Sequence, residues 1–291
     1  MFLAHRVEEL AARSLDTRRA IGAFVLRERM NLSKYTIADI AAATHSSKAS
    51  VTRFAQSLGY SGWRDFIRDY MAEARYEASR ETLVDANRPF PPGASADEIA
   101  ERIADLHYEA VADTVRLLNR EMLELGARFI DEAKHVWVFG VSPNSYIGGL
   151  FCRKLLAVGK TASVVHNGEY GVVARSLEPV DCAVFISYSG NNPDANPLAQ
   201  IPELKRRGVP MIGITSEGGS YLRQQLRCVL TVSSHEALYS KIATFATEAS
   251  MQYLLDALFA CAFAHHYDEN LSHKLKYSQE LEGARKSQVE A

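Results

Sequence analysis

The chain has 291 residues, 47% of them apolar and 23% charged, with a formal net charge of −2. That length holds one large or two ordinary domains, and the apolar and charged fractions are ordinary for a soluble globular protein. No uninterrupted apolar run reaches the roughly 18–20 residues a membrane span needs, and the opening MFLAHRVEEL acquires charge too early for a signal peptide.

Cys152, Cys182, Cys228 and Cys261 are scattered with no CxxC spacing, which predicts reduced core thiols in a cytoplasmic protein and no metal site. The charge is uneven. Residues 1–80 carry 13 Lys and Arg against 9 Asp and Glu, and the remainder 20 against 26. A basic front on an acidic back suits a nucleic-acid-binding head joined to a small-molecule domain.

From Asp16 to Met30 the apolar residues Ile21, Phe24, Val25 and Leu26 mark one helical face. Thr36 with Asp39 forms a capping-box variant that opens a short helix through Ile37, Ile40, Ala41 and Ala43. Thr44-His45-Ser46 is a brief turn. Ser47 then caps a third helix, Lys48–Leu58, with Val51, Phe54 and Leu58 inward and Gly59 at its end. Two short helices across a three-residue turn form a helix-turn-helix unit. The outer face of the second carries Ser47, Lys48, Ser50, Thr52, Arg53 and Gln56, and no acid occurs from Thr44 to Tyr60. An acid there would repel phosphates, so this face predicts DNA contact through Ser47, Lys48, Ser50, Thr52 and Arg53, with Thr36 at the start of the preceding helix. A solvated helix face is the plain alternative, but such faces usually mix Glu with Lys. From Gly62 to Arg80 a further helix carries Trp63, Phe66, Ile67, Tyr70 and Met71 as a core stripe.

Asn87 to Gly93 holds three prolines and a glycine, an extended linker. The predicted division is a helix-turn-helix domain over 1–80, a linker over 81–95, and an α/β domain over 96–291. Ser95 caps a helix from Ala96 to Leu118, and a second runs from Arg120 to Ala133. Strands at 136–139, 162–165, 182–186, 211–214 and 229–232 then alternate with helices at 146–158, 169–177, 194–207 and 220–226. This rhythm predicts a five-stranded parallel sheet covered on both faces. A long apolar helix is expected from Ala237 to His265, and a frayed charged tail from Ser278.

Two polar loops follow strands that are expected to be neighbours. Gly140–Ser145 (GVSPNS) follows the first strand and Ser187–Asn192 (SYSGNN) the third, where Pro193 is expected to open the next helix. In an open α/β sheet such loops line one crevice at the carboxyl ends of the strands. They offer Ser142, Asn144, Ser145, Ser187, Ser189 and Asn192, with no acid or base among them. That set suits holding a phosphate through neutral donors and helix dipoles, and it contains no activated nucleophile. Ordinary turn chemistry is the bland alternative.

SYSGNN after Val184-Phe185-Ile186 is similar to the SxSGxT phosphosugar loop of the sugar isomerase (SIS) fold. The segment TIADIAAATHSSKASVTRFAQSLGYSGWRDF, above all S-x-x-S-V-x-R-F followed by LGY, resembles the helix-turn-helix domain of RpiR-type transcriptional regulators. The whole chain thus resembles that family, which implies a DNA-binding regulator whose SIS domain senses a phosphosugar. It further implies a homodimer or dimer of dimers on a palindromic operator in double-stranded DNA, and no cofactor. By the same resemblance, Thr215 and Ser220 in GITSEGGSYL line or support the pocket, and Glu236 closes it. In isomerases of the fold, a Glu at about that point is the base.

Several positions depart from the family pattern. His45 and Ser46 stand where the family more often has Gly and an apolar residue. Ser142 stands at the second Gly of the GxGxS loop, Asn144 at its Ser, and Asn192 at the Thr of the second loop. A phosphosugar isomerase or etherase is the alternative function, since the SIS fold alone permits it. A regulator with a vestigial sensor is a third reading.

Overall fold

A computed structural model describes residues 3–78, 84–233 and 235–283. The chain forms two compact units: Met1–Glu109 with His235–Phe245, and Ala110–Ser234 with Ala246–Ala291.

The first unit is helical. It contains α1 (Leu3–Arg13), α2 (Thr17–Glu28), a 3-10 segment (Arg29–Lys34), α3 (Ile37–Ala43), α4 (Lys48–Ser57) and α5 (Trp63–Ala78). Their apolar faces meet in one core that includes Ile21, Val25, Leu32, Ile40, Val51, Phe54 and Phe66. Phe66 is the hub of its aromatic part, with Trp63, Phe54, Tyr60 and Tyr70 rings 5.1–6.0 Å from it. A fully buried Phe contributes roughly 1.5–3 kcal/mol, so the stripe expected on α5 holds the unit together, with Trp63, Phe66, Tyr70 and Met71 buried and Ile67 half-buried. The expected end of that helix at Ser79 and Arg80 lies outside the described residues. Helix α1 was not foreseen. Its Leu3, Val7 and Ala11, spaced four apart, are all buried, but an early cluster of charges masked that face.

The second unit is built on five parallel strands: β1 (His135–Phe139), β2 (Thr161–Val164), β3 (Cys182–Ile186), β4 (Met211–Ser216) and β5 (Cys228–Val232). Their order is β2-β1-β3-β4-β5. The central strand β3 is buried at every position. Its Cys182, Val184 and Ile186 enter one core and its Ala183 and Phe185 the other, which is the period-2 alternation of a strand covered on both faces. The covering helices are α7 (Arg120–Glu132), α8 (Asn144–Leu156), α9 (Tyr170–Ser176), α10 (Ile201–Arg206), α11 (Tyr221–Gln225) and α12 (Phe245–His265). Helix α6 (Ala96–Leu117) begins after Ser95, whose hydroxyl accepts from the Glu98 N–H at 3.2 Å.

Three expectations need correction. The helix expected from Asp194 starts only at Leu198 as a 3-10 turn and becomes α10 at Ile201. Pro197 removes a donor and keeps Asn196 out of the helical region. The helix expected from Ala237 starts at Phe245. The N–H groups of Ala237, Leu238, Tyr239 and Ser240 are taken by the side chains of Asn87 and Glu8 and cannot enter a helical ladder. The tail expected to fray from Ser278 is helical to Gly283, as the end of α13 (Tyr267–Gly283).

Candidate DNA interface and ligand crevice

Two caps set the geometry of the helix-turn-helix pair. The Thr36 hydroxyl accepts from the Asp39 N–H, and the Asp39 carboxylate accepts from both the Thr36 N–H (2.8 Å) and its hydroxyl (2.7 Å). Those bonds hold the Asp39 carboxyl below its ordinary range. Ser47 accepts from the Ser50 N–H at 3.1 Å and so opens α4. The turn between the helices places His45 at φ +48°, a left-handed conformation that glycine tolerates and other residues adopt at a cost. This is the position where the sequence departs from the family pattern. The backbone demand for glycine is thus present and unmet.

On α4, Ser47, Lys48, Arg53 and Gln56 are exposed, and Ser50 and Thr52 half-buried. The Arg53 guanidinium donates to the Ser50 hydroxyl at 3.1 Å, and Thr52 donates to the Lys48 carbonyl at 3.2 Å. One helix face thus carries the candidate residues, oriented by bonds among themselves. Thr36 is exposed as well, but its hydroxyl is engaged in the cap. The Thr36–Asp39 spacing predicts that cap, and both of its bonds are present.

The crevice follows from strand order. Connections from β1 run to β2 on one side, while β3 pairs on the other, with Phe139 opposite Phe185. That reversal is the switch point at which open α/β sheets bind ligands. The loops Gly140–Ser145 and Ser187–Asn192 both leave from it. Asn144 and Ser145 are the first two residues of α8, so the positive end of a 13-residue helix faces this region. The Asn144 amide donates to the Ile186 carbonyl at 3.3 Å and ties the two loops together. Tyr170, which sequence reasoning passed over, is buried and donates to the Gly140 carbonyl at 2.9 Å.

The second loop is latched from β4 and α11. The Tyr188 carbonyl accepts from the Thr215 hydroxyl and from the Ser216 N–H, both at 3.0 Å. The Gly190 carbonyl accepts from the Leu222 N–H, and the Asn191 side chain accepts from the Tyr221 N–H at 3.0 Å. The Ser187 hydroxyl accepts from the Gly190 N–H at 3.2 Å, closing the turn on itself. Gly190 has φ +60°, and a Cβ there would lie 2.8 Å from the Thr215 hydroxyl, so both conformation and space require glycine. Thr215, fully buried, supports the loop from beneath. Ser220 is also buried and caps α11 by accepting from the Arg223 N–H. Ser189 and Asn192 are half-buried on the loop, and Ser142 is exposed on the first. Because α10 starts well beyond Pro193, the helix dipole available at this crevice is that of α8, not one following Asn192.

Glu236, four residues beyond the end of β5, is fully buried in the segment His235–Phe245, which clusters with the helical unit, and its carboxylate is 3.6 Å from the Lys241 ammonium. His5 of α1 bonds the Glu236 backbone, and its own pKa is pushed down to about 4 by burial, against the opposing pull of that bond and of Glu8. Among the described residues no group of three His, Cys, Asp or Glu is arranged to hold a metal ion, and no helix is long and apolar enough to cross a membrane. Cys152, Cys182 and Cys228 are buried and Cys261 half-buried, all as free thiols.

A capped two-helix reader followed by a parallel sheet with a neutral polar crevice at its switch point defines a helix-turn-helix protein carrying a SIS-type α/β unit. Residues 5–73 match the model of the helix-turn-helix domain of the rpiR family, and residues 129–260 that of the SIS domain. The chain belongs to the RpiR family of helix-turn-helix transcriptional regulators. An uncharacterized HTH-type transcriptional regulator of Providencia stuartii is 27% identical over 218 residues, 74% of this chain and 75% of its own. Among solved structures, the NanR protein of Vibrio vulnificus complexed with ManNAc-6P aligns with a TM-score of 0.61 at 20% identity, covering 97% of this chain and 99% of its own. The sugar isomerase domain of an RpiR transcription factor from Sphaerobacter thermophilus aligns with a TM-score of 0.55 at 17% identity, covering 62% and 98%.

Proposed function

We propose that this regulator controls genes of sugar or amino-sugar metabolism and that its α/β unit senses a phosphosugar. The DNA-reading part is residues 1–80, joined through 81–95 to a sensor over 96–291. The observation that carries the reading is the pairing, in one chain, of an acid-free exposed face on α4 with a crevice of hydroxyls and amides at the sheet's switch point. Neutral donors and the α8 dipole suit a phosphate. The NanR protein of Vibrio vulnificus, of the same fold, was solved with ManNAc-6P, which supports a sugar phosphate as effector. Ser142, Asn144, Ser145, Ser187, Ser189 and Asn192 line the site in this reading, and Thr215 supports it. Ser47, Lys48, Ser50, Thr52 and Arg53 contact DNA, with Thr36 at the start of the pair. The protein acts in the cytoplasm as a homodimer or dimer of dimers on a palindromic operator.

The crevice is a receptor and not an active site in this reading. Its loops carry hydroxyls and amides with no acid or base among them, and Glu236, which closes the pocket in this reading, is fully buried with its carboxylate 3.6 Å from the Lys241 ammonium. The test is fluorescence anisotropy on the protein's own promoter region at fixed salt, titrated with a panel of sugar phosphates that includes N-acetylmannosamine 6-phosphate. Sequence-preferring binding shifted by one compound supports the proposal. Specific binding that nothing shifts refutes the sensor, and turnover of a sugar phosphate refutes the non-enzymatic reading. Within that assay, Arg53→Ala weakens DNA binding by roughly 1–3 kcal/mol and leaves ligand binding unchanged, whereas Ser189→Ala does the reverse. Equal loss of both functions in either folded variant contradicts this division of roles.

A further inference from the structure

The segment between β5 and α12 leaves the α/β unit after residue 234, joins the helical unit as His235–Phe245, and re-enters the α/β unit at Ala246. Residues 235–244 have no regular secondary structure, and Phe245 opens α12. Two distant side chains hold it. The Glu8 carboxylate of α1 accepts three consecutive backbone N–H groups, those of Leu238 (2.6 Å), Tyr239 (3.1 Å) and Ser240 (2.9 Å), and also the Ser240 hydroxyl (2.5 Å). Asn87 accepts from the Ala237 N–H, donates to the His235 carbonyl at 3.3 Å, and through its own carbonyl accepts from the Ile242 N–H at 3.0 Å. On the inner side lie Glu236, Lys241 and His5; Tyr239 and Ile242 face outward.

This arrangement fits a two-state clasp better than a packed core. Beside the three bonds from Asn87, the segment is attached through one buried carboxylate, 6% exposed, that receives several charge-assisted bonds. Those bonds hold the Glu8 carboxyl below its ordinary range even though burial pushes it up. Losing some of these bonds while the strap still covers the carboxylate leaves a buried charge short of donors, whereas full release lets water solvate it, so partial detachment is disfavoured and the clasp is either closed or open.

The same segment is the direct continuation of β5, which pairs with the strand that latches the second crevice loop. Thr215 and Ser216, which latch the Tyr188 carbonyl, pair in register with Thr231 and Val232 of β5. The next residue, Ser233, is fixed by its N–H to the Thr114 hydroxyl at 3.1 Å and by the Ser250 hydroxyl to its carbonyl at 2.8 Å. The strap starts two residues later.

We propose that Glu8 is the positioning residue through which a sugar phosphate bound in the crevice alters DNA binding, by holding or releasing the 235–245 strap on α1. The inference rests on the sensor reading given above and adds the element that both sites bias, which any coupling between them requires. The Glu8 side chain touches neither DNA nor effector in this account. Neutralising it therefore removes the communication and spares each binding event.

The test uses the full-length protein and its Glu8→Gln variant. DNA affinity is measured by anisotropy with and without saturating N-acetylmannosamine 6-phosphate, or whichever sugar phosphate of the panel binds the wild type, and ligand affinity by calorimetry. In the wild type the ratio of the two DNA affinities falls within the roughly 5- to 150-fold range of ordinary allosteric pairs. In E8Q the ratio collapses to within about 2-fold of unity, while calorimetric affinity for the sugar phosphate changes by less than about 3-fold. A merely structural role would lower stability and leave that ratio intact in the folded fraction. An E8Q protein with the wild-type ratio overturns the clasp. Wild type that binds the sugar phosphate without any change in DNA affinity overturns the coupling. Wild type that binds no sugar phosphate overturns the sensor reading itself. Should E8Q not fold, amide hydrogen exchange of the wild type decides. Exchange at Leu238, Tyr239 and Ser240 that changes at least tenfold on adding the sugar phosphate supports the clasp, and exchange that does not change refutes it.

Discussion

Acidifying the protein tests the interior of the helical unit through one group, His5. It is 5% exposed on α1, and burial lowers its pKa from 6.5 to about 4. The folded state therefore resists a proton that the unfolded chain accepts. For a group depressed in this way, stability is complete above the unfolded pKa of 6.5 and drains as pH falls toward 4. At pH 5 the unfolded imidazole is almost fully protonated and the folded one almost neutral, a difference of roughly 2 kcal/mol. The full shift of about 2.5 units corresponds to roughly 3 kcal/mol below pH 4. Glu8 contributes in a separate window, because its depressed pKa stabilises the fold above its unfolded value near 4.5 and is lost only below that. The chain has two tryptophans, Trp63 in the helical core and Trp137 on β1. A Trp137→Phe background therefore lets fluorescence follow urea unfolding of the helical unit. In that background the parent should lose about 2 kcal/mol relative to a His5→Gln partner between pH 7.5 and 5. A constant difference between the two across that range would refute the argument that His5 is buried neutral.

Two further perturbations probe the turn and the crevice. His45→Gly relieves a left-handed non-glycine residue at φ +48° and should raise the stability of the helical unit by a few tenths to about 1 kcal/mol, read from the urea midpoint. The gain is limited because glycine also loosens the unfolded chain. Gly190→Ala forces a Cβ against the Thr215 hydroxyl at a positive φ. It should weaken sugar-phosphate binding at least tenfold by calorimetry while leaving effector-free DNA affinity unchanged; unaltered ligand affinity would place the phosphate away from the Ser187–Asn192 loop.

Much of the fold was legible because its signals are local. The capping box of Thr36 and Asp39, the Ser47 cap, Gly59 at φ +85° and the period-2 burial of β3 each depend on residues a few positions apart. The same holds for the two crevice loops, since a strand followed by a run of hydroxyls and amides is a short-range pattern. Helix α1 was hidden by its charges, one of which, Glu8, turned out to be buried.

What only the tertiary structure decided involves partners far apart in the chain. The sequence from Ala237 reads as the start of a long helix, and by itself nothing contradicts that. It fails because Glu8, 230 or more positions earlier, and Asn87, 150 earlier, claim the backbone donors a helix would need. The burial of Glu236 beside Lys241, with His5 bonded to its backbone, likewise depends on partners far apart in the chain. Local propensity is a matter of tenths of a kcal/mol per residue, whereas leaving a buried carboxylate without its donors costs more than 1 kcal/mol. Where the two compete, the distant partner prevails.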